Sequence, residues 1–234
     1  MQERTSYMLK VVAFDLDDTL YPEDLYVQGG LHAVASYIEH TFKINRNLIY
    51  KQLLAAKDKN PRDKVFDTVL SKYNFYNSFI TEDLIRKYRS QALSITLYPG
   101  VKKLLDSLKK KYVLALITDG LTVVQMKKIK HLKIDTYFNY IYCTQDEGVQ
   151  EGKPDTKFFQ KLLDDASISS LEAIYIGNDP QKDFLGPKKL GIRTIRVLQG
   201  RYGGEEVISG AEPTFTIQKI KNVEKLLNDI KNED

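Results

Sequence analysis

The chain has 234 residues, 42% hydrophobic and 28% charged, with a net charge of +4 and a pI near 8.8. That length suits one core domain carrying a sizeable insertion, and the composition excludes a disordered chain or a membrane span, since no apolar run approaches ~20 residues. The lysines are scattered among acids rather than clustered with aromatics, so the positive balance does not read as a nucleic-acid footprint.

In chain order, the start from Met1 to Lys10 has no apolar stretch of signal-peptide type, so a cytoplasmic location away from membranes is expected. Lys10 to Phe14 is the first short apolar run and predicts a buried strand. Residues 21–93 contain no convincing strand; amphipathic stretches start near Asp24, Asn45, Arg62 and Thr81, with a break at Lys59-Asn60-Pro61. This predicts an all-helical insertion, leaving residues 1–20 and 94–234 as the core. Leu97-Tyr98-Pro99-Gly100 marks the return to that core. From there, apolar runs at Tyr112 to Ile117, Tyr140 to Cys143, Ala173 to Ile176 and Thr194 to Leu198 predict parallel strands. Helical spacing appears at Val101 to Lys110, Thr122 to Leu132, Thr156 to Asp165 and Gln181 to Leu190, and Thr216 to Ile230 predicts a closing helix. Strand–helix alternation of this kind predicts an α/β core with a doubly wound, Rossmann-like parallel sheet. Cys143, the only cysteine, falls in a strand run and reads as a buried, inert thiol.

In open α/β sheets ligands bind beyond the carboxyl ends of the strands, so the polar residues after each run are the candidates. These are Asp15-Leu16-Asp17-Asp18-Thr19-Leu20, Thr118-Asp119-Gly120, Gly152-Lys153-Pro154-Asp155, and Gly177-Asn178-Asp179-Pro180-Gln181-Lys182-Asp183. Asp15, Asp17, Asp179 and Asp183 would repel one another without a cation. Lys153 supplies one charge, and a hard, oxygen-liganded Mg²⁺ is expected to supply the rest. His32, His40 and His131 lie in helical stretches away from the strand ends, which argues against zinc. Mg²⁺, a lysine, a threonine and free amides suit a phosphoryl group. Asp15 can attack phosphorus to form an aspartyl-phosphate, and Asp17 can protonate the leaving oxygen and then activate water.

These four segments, in order and each after a predicted strand, resemble the motifs of the haloacid dehalogenase superfamily across the whole core. The resemblance implies a phosphatase with Asp15 as nucleophile, Asp17 as general acid/base, and Thr118 and Lys153 as phosphate contacts. It implies Mg²⁺ on Asp15, on the backbone carbonyl of Asp17 and on Asp179, with Asp183 behind them holding Lys153 or a metal-bound water. The pattern departs in one place, where Asn178 intervenes between glycine and acid; Asn178 is therefore given an auxiliary contact. The helical insertion resembles the family's cap, and Gln28-Gly29-Gly30, read as a loop between cap helices, is expected to select substrate.

Gly120, and Asp119 with it, join the phosphate-binding set by position, although for Asp119 and Asp155 helix capping is the stronger reading. Asp18 is expected to point to solvent and Thr19 to fix the turn. Pro154 suits a first helical position. A small phosphate ester is the expected partner, such as a nucleoside monophosphate or sugar phosphate, with the protein a monomer or homodimer. A phosphomutase on the same core, or a non-catalytic phosphate-ligand-binding protein, is the alternative.

Overall fold

The computed structural model describes residues 8–59, 64–75, 77–146, 149–150 and 152–233. By contacts the chain divides into two units, Met1–Glu23 with Ile95–Asp234, and Asp24–Ser94.

In chain order the elements are β1 (Val11–Phe14), α1 (Glu23–Phe42), α2 (Arg46–Lys59), α3 (Val65–Ser71), α4 (Ser78–Ser90), α5 (Val101–Leu108), β2 (Val113–Leu121) and α6 (Thr122–His131). There follow β3 (Tyr140–Asp146), β4 (Val149–Gln150), α7 (Lys157–Ala166), β5 (Ala173–Gly177), α8 (Leu185–Lys189), β6 (Arg193–Val197), β7 (Phe215–Ile217) and α9 (Val223–Glu233).

The first unit is built on one sheet of order β4-β3-β2-β1-β5-β6-β7, parallel except for the antiparallel β3–β4 pair. The doubly wound α/β core read from the sequence is this sheet. β1 is central and wholly buried, which its unbroken run Val-Val-Ala-Phe requires of a strand covered on both faces. It pairs with β2 on one side and β5 on the other, with Phe14 level with both Leu116 and Ile176. Connections run outward in opposite directions from that point, so β1 and β5 flank the topological switch where such sheets open a crevice. Below it, Val11, Ala13, Ala115, Ile117 and Tyr175 pack with Phe159 and Leu162 of α7. Phe159 lies edge-on to Tyr175 with ring centroids 4.9 Å apart. α5 buries Val101, Leu104, Leu105 and Leu108, the i, i+3, i+4, i+7 stripe that made it legible as a helix.

Several sequence expectations need correction. The tail opens as β7 rather than helix: Phe215-Thr216-Ile217 alternates as an edge strand and pairs with β6, Ile195 opposite Phe215. Helix α8 begins only at Leu185, because residues 179–183 are drawn into a turn by their own side chains. Cys143 is on β3 but only half-buried. Pro154 follows a cis peptide three residues before α7, so it is not a first-turn residue. The expected helix start at Arg62 and the break at Asn60-Pro61 lie outside the described residues.

The second unit holds α2, α3, α4 and nearly all of α1, around a core of Leu31, Val34, Ile38, Ile49, Leu53, Leu70 and Leu84. Gln28-Gly29-Gly30 is not a loop; it lies inside α1. Gly30 is there to let Tyr88 and Gln91 approach: a Cβ on it would fall 2.3 Å from the Tyr88 ring and 2.8 Å from Gln91 Nε2. Gln91 in turn donates to the carbonyls of Tyr26 (3.1 Å) and Tyr88 (3.0 Å). Gly30→Val is therefore expected to destabilise this unit by about 1–3 kcal/mol through overpacking. The check is the urea midpoint followed by circular dichroism.

Candidate active site

The carboxyl ends of β1, β2 and β5 and the turn before α7 carry the candidate residues. Beyond Phe14 the parallel ladder runs one residue further, Asp15 N–H donating to the Ile176 carbonyl (2.8 Å), which fixes Asp15 at the head of the central strand. The chain then coils, with the Leu20 amide donating to the Leu16 carbonyl at 2.9 Å.

Asp15 is buried and accepts two bonds, from Lys153 Nζ to Oδ1 (2.6 Å) and from Thr19 Oγ1 to Oδ2 (3.0 Å). Thr19 Oγ1 also lies 3.1 Å from Asn178 Oδ1. Asn178 is buried, and its Nδ2 has no hydrogen-bond partner among the described residues. Lys153 Nζ reaches Asp183 Oδ1 (2.6 Å) and the Tyr175 hydroxyl (3.0 Å) as well, which uses all three of its hydrogens. Tyr175 donates to Asp183 Oδ1 at 3.0 Å. The other oxygen of Asp183 accepts the amides of Asn178 (3.0 Å) and Asp179 (2.8 Å), so this carboxylate holds the Gly177-Asn178-Asp179 turn and Lys153 together. Gly177 makes that possible, since a Cβ there would be 2.4 Å from Asp183 Oδ2. Among the described residues Asp179 has one bond to its carboxylate, from the Gln181 amide at 2.9 Å.

Asp17 faces a different set. Its Oδ1 is 2.7 Å from Lys128 Nζ and also accepts the Tyr21 hydroxyl, while Oδ2 accepts Gln125 Nε2 at 2.7 Å. Gln125 Nε2 donates its second hydrogen to Thr118 Oγ1 (2.6 Å). Gly120, at φ +133°, leaves room for Gln125: a Cβ would sit 3.1 Å from its side chain. The sequence reading missed Thr19's contact and had no place for Tyr21, Gln125, Lys128 or Tyr175. A signal for two of these existed, since Gln125 and Lys128 share the buried face of α6 with Ile129 immediately after Thr118-Asp119-Gly120.

Two expectations about neighbouring acids are overturned. Asp18 does not point to solvent: it is buried, at φ +55°, and accepts the amides of Glu23 (2.9 Å) and Arg201 (3.1 Å) and the Tyr98 hydroxyl (3.4 Å). It ties three segments of chain together, which a solvated carboxylate could not do. Asp119 is not a cap. It accepts Thr144 Oγ1 (2.8 Å) and the Lys153 amide (3.0 Å), anchoring the Lys153 turn, while α6 starts at Thr122, after Leu121, without a side-chain cap. Asp155 accepts the Lys157 amide at 2.7 Å, at the start of α7.

The electrostatics separate the two strand-end acids. Burial pushes Asp15 well above the usual carboxylate range; Lys153 opposes this, and Asp183 and Asp17 add to it. Burial would raise Asp17 as well, but Lys128, with bonds from Tyr21 and Gln125, holds it below its ordinary value. Burial would lower Lys153, yet Asp15 and Asp183 override it and keep the ammonium charged. Asp179 is raised by burial, partly relieved by the Gln181 amide. Glu23, at the start of α1, is pushed up to about 7 by burial and by Asp17.

The four acids thus do not converge on one cation. Asp17 is turned onto Lys128 and Asp183 onto Lys153, and among the described residues no three His, Cys, Asp or Glu side chains group as metal ligands. The donors that fit a hard divalent ion are Asp15 and Asp179, both raised by burial, Asp179 without an ion pair among the described residues. Their oxygens suit Mg²⁺ and not a soft metal.

The profile of the family described as haloacid dehalogenase-like hydrolase matches residues 12–197. A glyceraldehyde 3-phosphate phosphatase of Methanocaldococcus jannaschii is 30% identical over 236 residues, covering 96% of this chain and 98% of the relative. Pyrimidine 5'-nucleotidase YjjG of Escherichia coli is 26% identical, covering 92% and 96%. Among solved structures, the hydrolase YfnB of Bacillus subtilis, crystallised bound to magnesium, superposes with a TM-score of 0.69 at 18% identity, covering 94% of this chain and 99% of that one. Among the described residues no helix is long and apolar enough to cross a membrane.

Proposed function

The chain belongs to the haloacid dehalogenase-like hydrolases, and on that premise we propose that it is a Mg²⁺-dependent phosphatase acting on small phosphate esters through an aspartyl-phosphate on Asp15. Phosphoric monoester hydrolysis follows from the family and its phosphatase relatives; the metal, the intermediate and the residue roles are the proposal. The observation that carries it is the pair Asp15 and Asp17, two residues apart and held by different cations, Lys153 and Lys128. Separate partners let the two carboxylates titrate separately, as a nucleophile and an acid/base require; in the free site Asp15 leans toward its neutral form and Asp17 toward its charged form, and bound metal and phosphate would reverse that order.

Asp15 attacks phosphorus: an O–P bond forms and the ester P–O bond breaks, while Asp17, held charged in the free site by Lys128, takes the proton that the ester monoanion brings and passes it to the leaving oxygen. Water then attacks the aspartyl-phosphate, passes a proton to Asp17, and frees Asp15 and inorganic phosphate. Lys153 holds Asp15 in place and offers its charge to the phosphoryl oxygens, with Thr118 as a second contact. The Nδ2 of buried Asn178, unpartnered among the described residues, is a donor suited to an anionic oxygen in the same place. Asp15, the Asp17 carbonyl and Asp179 would hold Mg²⁺, which supplies charge neutralisation for the phosphoryl group. Such a cation would add to Lys153 in opposing the burial that pushes Asp15 toward its neutral form.

The names of the relatives make glyceraldehyde 3-phosphate the first substrate to test and pyrimidine nucleoside monophosphates the second. The test is phosphate release from these, from other sugar phosphates and from p-nitrophenyl phosphate, with Mg²⁺ or EDTA. Release is expected with Mg²⁺ and lost with EDTA. Equal release in both would remove the metal from the reading, and no release from any ester by folded protein would remove the phosphatase.

A further inference from the structure

Lys128 is a buried lysine, its side chain 5% exposed, on a helix that contributes none of the motif residues. Burying a lysine is costly unless its charge is matched, and here the match is Asp17 Oδ1 at 2.7 Å. One turn earlier on the same face, Gln125 takes the other oxygen of Asp17 and, with its second hydrogen, Thr118 Oγ1. Tyr21 also donates to Asp17, but it sits four residues along the same loop and moves with it. α6 is the separate support: it follows β2 directly, and β2 is pinned between β1 and β3.

We infer that Lys128 and Gln125 are positioning residues, which hold the Asp17 carboxylate in one rotamer and tie it to Thr118, so that proton transfer and phosphate contact keep a common geometry. This rests on the proposed role of Asp17. A carboxylate at a strand end has two free side-chain torsions, and a misplacement of about 1 Å can cost 10²-fold in rate. The residues would act through Asp17 and not on substrate.

A leaving-group comparison tests this. kcat/KM reports steps up to formation of the aspartyl-phosphate, and p-nitrophenolate leaves without needing a proton, whereas an alkoxide does not. In Lys128→Met, kcat/KM for glyceraldehyde 3-phosphate, or for the most active alkyl phosphate of the panel, is expected to fall about 10- to 100-fold more than for p-nitrophenyl phosphate. KM should change little, and Lys128→Arg should recover part of the loss. Gln125→Met, which removes no charge, should shift the same ratio in the same direction by a smaller factor, and it carries the test if Lys128→Met does not fold. Parallel losses on both substrates, or an unchanged ratio in both variants, would overturn the inference. Failure of the wild-type protein to release phosphate from any ester would strike the functional reading instead.

Discussion

Asp15→Asn is expected to abolish phosphate release, by a factor of about 10⁴ or more, since it removes the nucleophile and leaves only binding and charge stabilisation. The substitution is nearly isosteric, and an amide oxygen can still accept from Lys153 Nζ or from Thr19 Oγ1, the two donors that hold Asp15 at 2.6 and 3.0 Å. Burial already disfavours charge on Asp15, so the variant should fold with a thermal midpoint close to wild type. Loss of activity without loss of fold separates a chemical role from a structural one. The companion measurement is brief reaction of wild type and variant with labelled phosphate ester, followed by acid quench. Label should be retained on wild type and be absent from Asp15→Asn; equal labelling would move the phosphate acceptor elsewhere.

Lys153→Met is expected to have the largest effect on stability. Lys153 is bonded to Asp15, Asp183 and Tyr175, with the two ion pairs at 2.6 Å and all three ionic side chains under one tenth exposed. Breaking a buried pair by removing one partner typically costs about 3–5 kcal/mol, because the remaining charge stays buried and uncompensated. Removing the ammonium also takes away what opposes the upward shift of Asp15. An acid whose folded pKa lies above its unfolded value contributes stability at low pH that is lost as pH rises through the folded value. The deficit of Lys153→Met relative to wild type should therefore be smaller near pH 5 than near pH 8. Urea midpoints at the two pH values check it, and a deficit independent of pH would show that lost packing, not stranded charge, dominates. Asp183→Asn, which keeps the size of the group, should cost less.

The sheet was legible because each buried strand is a continuous apolar run bounded by polar residues, and Val11–Phe14 could not be a solvent-facing strand. The elements misread are those whose local signal is weak. β7 is three residues on an edge, partly exposed, and looks like the first turn of the helix that follows it. The turn at residues 179–183 has the composition of a helix start, yet Asp183 is drawn inward by Lys153, 30 positions away, and takes the amides of Asn178 and Asp179 with it. Gly29-Gly30 reads as a break because glycine is a poor helix former. What keeps it in α1 is that Gly30 faces Tyr88, and helix spacing alone does not show which residue will face it.

By itself, the sequence determined the α/β core and the residue types gathered at its strand ends: hydrophobic periodicity and turn chemistry are local properties, and the sheet rule converts them into a place. Only the tertiary structure decided how the charges at that place are matched. Asp15 meets Lys153 across 138 positions and Asp17 meets Lys128 across 111, and neither pairing has any local signature, because a carboxylate in water and a carboxylate against a buried ammonium have the same neighbours in sequence. Burial makes these pairings matter: it withdraws the solvent that would screen them, so the partner brought by the fold sets whether each acid is held charged or pushed toward its neutral form.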